Sequence, residues 1–421
     1  MSHFRLAHLL HLSLPLAAAL SCFGGLSIGS LRHTGAIWLA TLVVGIQLLV
    51  AQAMLRGTSR ITFPWLWWIP FYCYYFFTLL WSGVQLRNVQ LGIQMLTFLV
   101  VGMVISFAVE KKEDLKSFNK LYLGTTLVIG LFCLYFMHGP GLNIQHQDNK
   151  GLYVGFAERP AGTTLTIVGA IFLAQIRRIP LVAVSVWLLT LILSILTGGR
   201  MATFVLIALW IVHPRLARLT TKAFIVFFTI LTTLVAFNTP IIQERFFEQK
   251  TGFSGKGSVD DVMQGKFHSS GRFEAWPKIL KRAHRAPLLG HGLGSSAPYV
   301  YKVWTPMDKP HNEYLKMYFE GGYVGLSLFL LAITGTWLNI RRVLRQSKAE
   351  DDNWPASAAY MGLFAFVTMA AVDNPLVYGN NFMHPLFALV GAANALLAIE
   401  KKERAKEEKA EKSESTEKPD T

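Results

Sequence analysis

Arg200, Arg272 and His311 carry side chains suited to handling phosphate and protons, and each stands at the edge of an apolar segment. Arg200 follows Thr197-Gly198-Gly199 and opens an apolar window. A cation at a helix start opposes the helix dipole unless an anion sits between them. The two glycines let a bulky oxyanion approach the backbone, where N-terminal amides can donate to it. An interfacial arginine that snorkels to water would read the same way. Arg272, in Ser270-Gly271-Arg272, repeats the pattern with a guanidinium able to grip phosphate bidentately. A loop arginine pairing with Glu274 or solvent is the alternative. His311 opens His311-Asn312-Glu313-Tyr314, held between Pro310 and an apolar segment. Imidazole suits general-base work near neutral pH, although a loop histidine with an ordinary hydrogen bond has the same setting. His291, between Gly290 and Gly292, is a second candidate in what reads as a tight turn. The run GHGLG is too short for a nucleotide loop and follows no strand. Arg159, beside Pro160, Gly162 and Thr163, adds a further cation, and Asn312, Lys278 and Arg282 could also touch substrate. Asp373 and Asn374, before Pro375, are polar groups without an assigned role.

The elements that must position these residues are membrane spans. The 421-residue chain is 52% hydrophobic with mean hydropathy +0.38, which marks an integral membrane protein. About twelve windows suit helical crossing, near 8–28, 35–55, 63–81, 88–109, 119–137, 162–176, 180–198, 200–213, 223–240, 314–340, 355–373 and 382–399. The window 200–213 is short, so 180–213 could also be one hairpin with a displaced turn. Loops rich in Arg and Lys fall on one side, at Arg56 and Arg60, Lys111 to Lys120, Arg177 and Arg178, Arg215 to Lys222, and Arg341 to Arg345. Positive loops favour the cytoplasm, so both termini are expected there and the long loop 241–313 outside. The division is then spans over 1–240, a loop with the distinctive motifs over 241–313, spans over 314–399, and a disordered tail over 400–421. Within the loop, 271–285 reads as an amphipathic helix capped by Ser269 or Ser270 and stopped by Pro287. Such a helix can lie in the headgroup region with its apolar face down, or simply pack the loop.

Composition also excludes. Cys22, Cys73 and Cys133 lack metal-ligand spacing and form no disulfide framework. No repeat at fixed spacing is visible, and few acidic residues fall within the spans, which disfavours a transporter of duplicated bundles or a cation pathway. The loop cations Lys256, Lys266, Lys278, Lys281, Arg282 and Arg285 call for an anionic partner. Lipid phosphate suits that side of a membrane, and nucleic acid does not. Trp65, Trp67 and Trp68 read as an interfacial belt.

Three motifs then line up on one face: Gly-Gly-Arg200 before a span, SGRFEAW followed by PLLGHGLG in the loop, and HNEYL with EGGYVGL entering the next span. Together they resemble the O-antigen ligase and polymerase superfamily of bacterial envelope glycosyltransferases, most closely its ligase branch. The resemblance implies an all-α, multi-pass inner-membrane protein of GT-C type with one large periplasmic loop. It implies transfer of a glycan from undecaprenyl pyrophosphate to a sugar hydroxyl of lipid A-core, without metal, ATP, nucleotide sugar or other cofactor. Carried over by motif, Arg200 and Arg272 match the arginines that hold the pyrophosphate, and His311 matches the histidine that activates the acceptor. The family often has Ser-Arg-Gly or Thr-Arg-Ala around the first arginine, whereas this chain has Gly-Gly-Arg-Met-Ala. A polymerase extending lipid-linked glycan shares the donor chemistry, and a lipid-linked oligosaccharide flippase is the reading from another class.

Overall fold

A computed structural model of the chain describes residues 2–24, 27–28, 31–83, 86–138, 155–156, 158–197, 200–216, 223, 227, 271–305, 307–347 and 353–416. The expected span 223–240 apart from 223 and 227, and the loop residues 241–270 with the caps Ser269 and Ser270, lie outside the described residues. The helices are α1 (Ser2–Leu20), α2 (His33–Arg56), α3 (Ile69–Phe77), α4 (Leu79–Ser82), α5 (Leu86–Ala108), α6 (Asp114–His138) and α7 (Glu158–Leu173). There follow α8 (Pro180–Leu196), α9 (Arg200–Val212), α10 (Arg272–Ala283), α11 (Ser296–Val303), α12 (Glu313–Gln346), α13 (Trp354–Ala370) and α14 (His384–Thr416). Two-residue strands are the only β-structure among the described residues: β1 (Phe23–Gly24) pairs with β4 (Gly155–Phe156), and β2 (Ser27–Ile28) with β3 (Leu31–Arg32).

Among the described residues, five helices are long and apolar enough to cross a bilayer: Thr34–Arg56, Asn88–Ala108, Asp114–Leu134, Glu313–Gln346 and Gly379–Glu411. Shorter apolar helices stand beside them, at Pro160–Leu173, Pro180–Leu196, Arg200–Val212 and Trp354–Ala370. A helix apolar on every side belongs in the interior, and α13 is buried along most of its length. Close approach is made by small residues. A side chain at Gly391 of α14 would stand 2.4 Å from the Gly102 carbonyl of α5.

Several expected elements change shape. The window 8–28 is helical only to Leu20, after which Phe23 joins a strand pair. The window 63–81 is broken into a 3-10 turn at Trp65–Trp67, α3 and α4, a break that begins where Pro64 and Pro70 restrict the chain. Trp68 is not on an interfacial belt: it is buried and donates to Thr336 Oγ1 at 2.9 Å. The tail, expected to be disordered, continues α14 as far as Thr416. Its Ala, Glu, Lys and Arg are strong helix formers, and Glu400 pairs with Arg404 one turn on at 3.1 Å.

The change that matters most is inside α12. Gly322 (φ 63°, ψ −161°) breaks the helix one third of the way along, so EGGYVGL is a kink and not a plain span entry. In an unbroken helix the Tyr323 and Val324 amides would donate to the Phe319 and Glu320 carbonyls. Here those four groups are turned outward, and the loop Pro287–Gly292 takes all of them. Tyr323 N–H donates to Pro287 O (2.8 Å) and Val324 N–H to Leu288 O (3.2 Å). In return His291 N–H donates to Phe319 O (2.9 Å) and Gly292 N–H to Glu320 O (2.8 Å). Backbones this close leave no room for side chains. A Cβ at Gly290 would meet Glu320 O at 2.4 Å, and one at Gly322 would meet Leu288 O at 2.3 Å. From the other side Tyr74 Oη donates to Leu289 O (3.0 Å) and Gly321 O (2.9 Å), and Leu293 N–H donates to Thr78 Oγ1 (2.9 Å).

The two glycine motifs are therefore halves of one joint between loop and bundle. Gly322→Ala, strained at positive φ and clashing with Leu288, is expected to cost about 2 kcal/mol or more of stability. Thermal unfolding of the purified variant in detergent, compared with a neutral surface variant, measures this.

Candidate functional site

The joint delivers α10 and α11 to one end of the bundle. The stripe Ala275, Ile279 and Ala283 of α10 packs against Val300 of α11 and Tyr318 and Phe319 of α12. The stripe of this amphipathic helix that carries Ala275, Ile279 and Ala283 is thus covered by protein, while Leu280 stays exposed. Gly271, at the N-cap with φ 79°, takes the position that Ser269 or Ser270 was expected to hold. Its Cα lies so close to Trp304 that a Cβ would stand 2.6 Å from the indole nitrogen. Trp304 in turn meets the His311 ring edge-on at 5.7 Å, and Trp276 Nε1 donates to Pro310 O at 2.7 Å. Through these indoles, Arg272 at the first turn of α10 is brought to the corner that holds His311.

His311 is the centre of that corner. It has φ 49°, the one positive value among the described non-glycine residues, a conformation that costs about 1–3 kcal/mol and persists only when its surroundings impose it. They do so at two points. Its backbone N–H donates to Asn374 Oδ1 (2.8 Å), and its ring Nδ1 lies 3.0 Å from Asp373 Oδ1. Asp373 Oδ1 is itself fixed by the Asn374 N–H at 2.8 Å. A carboxylate can only accept, so Nδ1 carries the proton and Nε2 is the basic nitrogen of the ring. Asp373, to which the sequence assigned no role, is the side-chain partner of the His311 ring. It is 62 positions from His311, and no local spacing links the two.

The other sequence-selected residues divide between this corner and structural roles. Arg200 begins α9 and is half-buried. α7 and α9 run side by side in the same direction: Gly162 abuts Ala202, and Gly169 abuts Leu206. Arg159, in the first turn of α7, therefore shares an end of the bundle with Arg200. Asn381 Nδ2 donates to Thr164 Oγ1 at 2.9 Å, which ties the π-helical turn Gly379–Met383 to that same end. This turn follows Asp373 and Asn374 after the 3-10 turn Pro375–Val377. Asn312 caps α12, its Oδ1 accepting the Leu315 N–H at 2.9 Å. The ring of His291 is turned to the Arg282 carbonyl (Nε2 2.9 Å) and packs on Phe319 at 4.8 Å. Arg282 stands over the Tyr299 ring at 6.0 Å, and Lys278 is exposed, its carbonyl accepting from Tyr299 Oη at 3.2 Å. His291, Asn312 and Arg282 thus serve the frame of the site. Among the described residues no group of three or more His, Cys, Asp or Glu could hold a metal ion.

Under this corner α12 buries charge. Glu313 and Glu320 are fully buried, with Lys316 nearly so between them. Sequence reading had set the spans as nearly free of acidic residues; these carboxylates sit at the head of one. Lys316 Nζ is 3.8 Å from Glu313 Oε2, while Tyr75 Oη and Ser296 Oγ both donate to Glu320.

The bundle of apolar helices, five of them long enough to cross a bilayer among the described residues, defines a multi-pass membrane protein. Residues 182–330 match the family model described as O-Antigen ligase. The match spans Arg200, Arg272 and His311 but ends before Asp373. No curated protein matches the chain.

A site that uses His311 as a base depends on Asp373 for the tautomer. Asp373→Asn is expected to fold normally and to lose roughly 10²-fold or more in turnover, read by steady-state kinetics of the purified variant.

Proposed function

We propose that the protein is an O-antigen ligase. It transfers a glycan from undecaprenyl pyrophosphate to a sugar hydroxyl of lipid A-core, at the periplasmic face of the bacterial inner membrane. The observation that carries this reading is His311, inside the region that matches the O-antigen ligase family model, held by Asp373 beside Trp304. In this reading both termini are cytoplasmic, the described helices belong to a set of about twelve spans of GT-C type, and the site opens outward.

The chemistry follows from the groups present. His311 Nε2 takes the proton of the acceptor hydroxyl, whose oxygen attacks the anomeric carbon of the donor. The bond from that carbon to the phosphate oxygen breaks, and undecaprenyl pyrophosphate leaves. Asp373 stabilises the imidazolium formed, as a buried carboxylate does beside a catalytic histidine. Negative charge grows on the leaving group, and Arg200 and Arg272, each at a helix N-terminus, neutralise it. Guanidinium suits this task because its planar fork matches phosphate oxygens. Helix α9 has 13 residues, about 20 Å against a hydrocarbon thickness near 30 Å, so Arg200 sits below the outer surface when Arg215 is at the inner one. That is the depth at which the pyrophosphate of a membrane-bound polyprenyl donor would be met. No metal or cofactor has a role in the step. The exposed cations Lys278, Lys281 and Arg285 favour approach of the anionic lipid acceptor. In-line attack inverts the anomeric configuration.

Purified protein given undecaprenyl-pyrophosphate glycan and lipid A-core, with chelator and without ATP, is expected to form glycosylated lipid A-core. Arg200→Ala, Arg272→Ala and His311→Ala are each expected to abolish product while membrane insertion is kept, and Arg→Lys at either position to retain part of it. Near-normal transfer by any alanine variant removes that residue from the site. Product only when two lipid-linked glycans are supplied would reassign the protein as a polymerase, and retained anomeric configuration would overturn the in-line step.

A further inference from the structure

The buried charges beneath His311 have a role in holding it. Glu313 is two residues beyond His311, and Asn374 is one beyond Asp373, so the two segments run past each other. His311 and Glu313 grip the other segment at successive points. His311 N–H meets Asn374 Oδ1 at 2.8 Å, and Glu313 Oε1 accepts the Leu376 N–H at 3.3 Å. The Asn374 side chain lies alongside the Glu313 carboxyl. A fully buried carboxylate is costly to place among apolar helices unless it is paired. Lys316 is that pair, at 3.8 Å and one turn further along α12. Lys316 also feels Glu320 one turn beyond, whose carboxylate already receives Tyr75 Oη and Ser296 Oγ. Positions 313, 316 and 320 thus form one charged face of α12, bracketed by the His311 turn above and the glycine joint below. A hydrophobic residue of the same size could fill the space but could not accept the Leu376 N–H.

We propose that Glu313, neutralised by Lys316, is a positioning residue for the reaction: it fixes the 373–376 segment against α12 and thereby sets the Asp373–His311 geometry. It touches no substrate. The proposal rests on His311 acting as the base, and the experiment separates the two claims. Catalysis is sensitive to displacements of about 1 Å, which can cost 10²-fold.

The test uses the full-length protein in detergent or nanodiscs, with Glu313→Met, which fills the space but cannot accept the Leu376 N–H, Lys316→Met and the double variant beside His311→Ala. Two readouts are taken: glycan transfer across pH, and the rate at which diethylpyrocarbonate modifies His311, followed by peptide mass spectrometry. Glu313→Met is expected to lower kcat by roughly tenfold to a hundredfold with little change in donor KM, to displace the acid limb of the pH profile, and to speed His311 modification. The double variant, which removes both charges, is expected to regain thermal stability over the single variants without regaining kcat. Wild-type kcat and modification rate in Glu313→Met, with His311→Ala inactive, would overturn the positioning role and leave the base intact. Full recovery of kcat in the double variant would likewise overturn it, leaving only a fold-stabilising pair. An active His311→Ala would overturn the base reading, and the modification rate would still report whether Glu313 orders the ring.

Discussion

The exchange of hydrogen bonds at Gly322 is the constraint on which the rest of the site depends. A helix in an apolar bundle cannot leave amides and carbonyls unpaired, because no water is at hand to satisfy them. Breaking α12 therefore requires another backbone to enter the gap, and Pro287–Gly292 is that backbone. Each such bond contributes about 1 kcal/mol in ordinary surroundings, and its loss in a dry one costs more. The consequence is geometric. A loop that could otherwise drift above the membrane is fastened to a span, and α10 and α11 are carried with it to the corner where His311 stands.

At that corner the protein spends stability on arrangement. A histidine in the left-handed region, a buried Glu313–Lys316 pair and a second buried carboxylate at Glu320 are each unfavourable for folding alone. Their partners come from segments far apart in the chain: Asp373 and Asn374 for His311, Leu376 for Glu313, Tyr75 and Ser296 for Glu320. Tyr75 lies on α3, Ser296 opens α11, and Asp373, Asn374 and Leu376 lie in the segment that follows α13. Strain of this kind is retained where a reacting group must be held in one orientation.

Packing also decides two features of the loop that its sequence left open. Residues 271–285 are amphipathic, and amphipathicity alone does not say whether lipid or protein covers the apolar face. The presence of Tyr318, Phe319 and Val300 at the right distance decides for protein. Likewise His291 has the chemistry of a base, but the Arg282 carbonyl and the Phe319 ring are its neighbours, and its task is to hold the loop in shape.

Much was legible in the sequence because it is local. Apolar runs of sufficient length dictate helices in a bilayer, and motif spacing singled out Arg200, Arg272 and His311 at helix edges. Paired glycine motifs also marked backbone that a Cβ would obstruct, though not what they approached. Left to the tertiary structure were the matches between distant segments. Asp373 read only as a polar residue before a proline, and Glu313 only as a helix start, until folding set them against His311 and Leu376. Hydrogen bonding and charge pairing act over a few ångströms of space, whatever the separation in sequence. Residue types could therefore propose a base, but only the packed helices could supply the carboxylate that orients it.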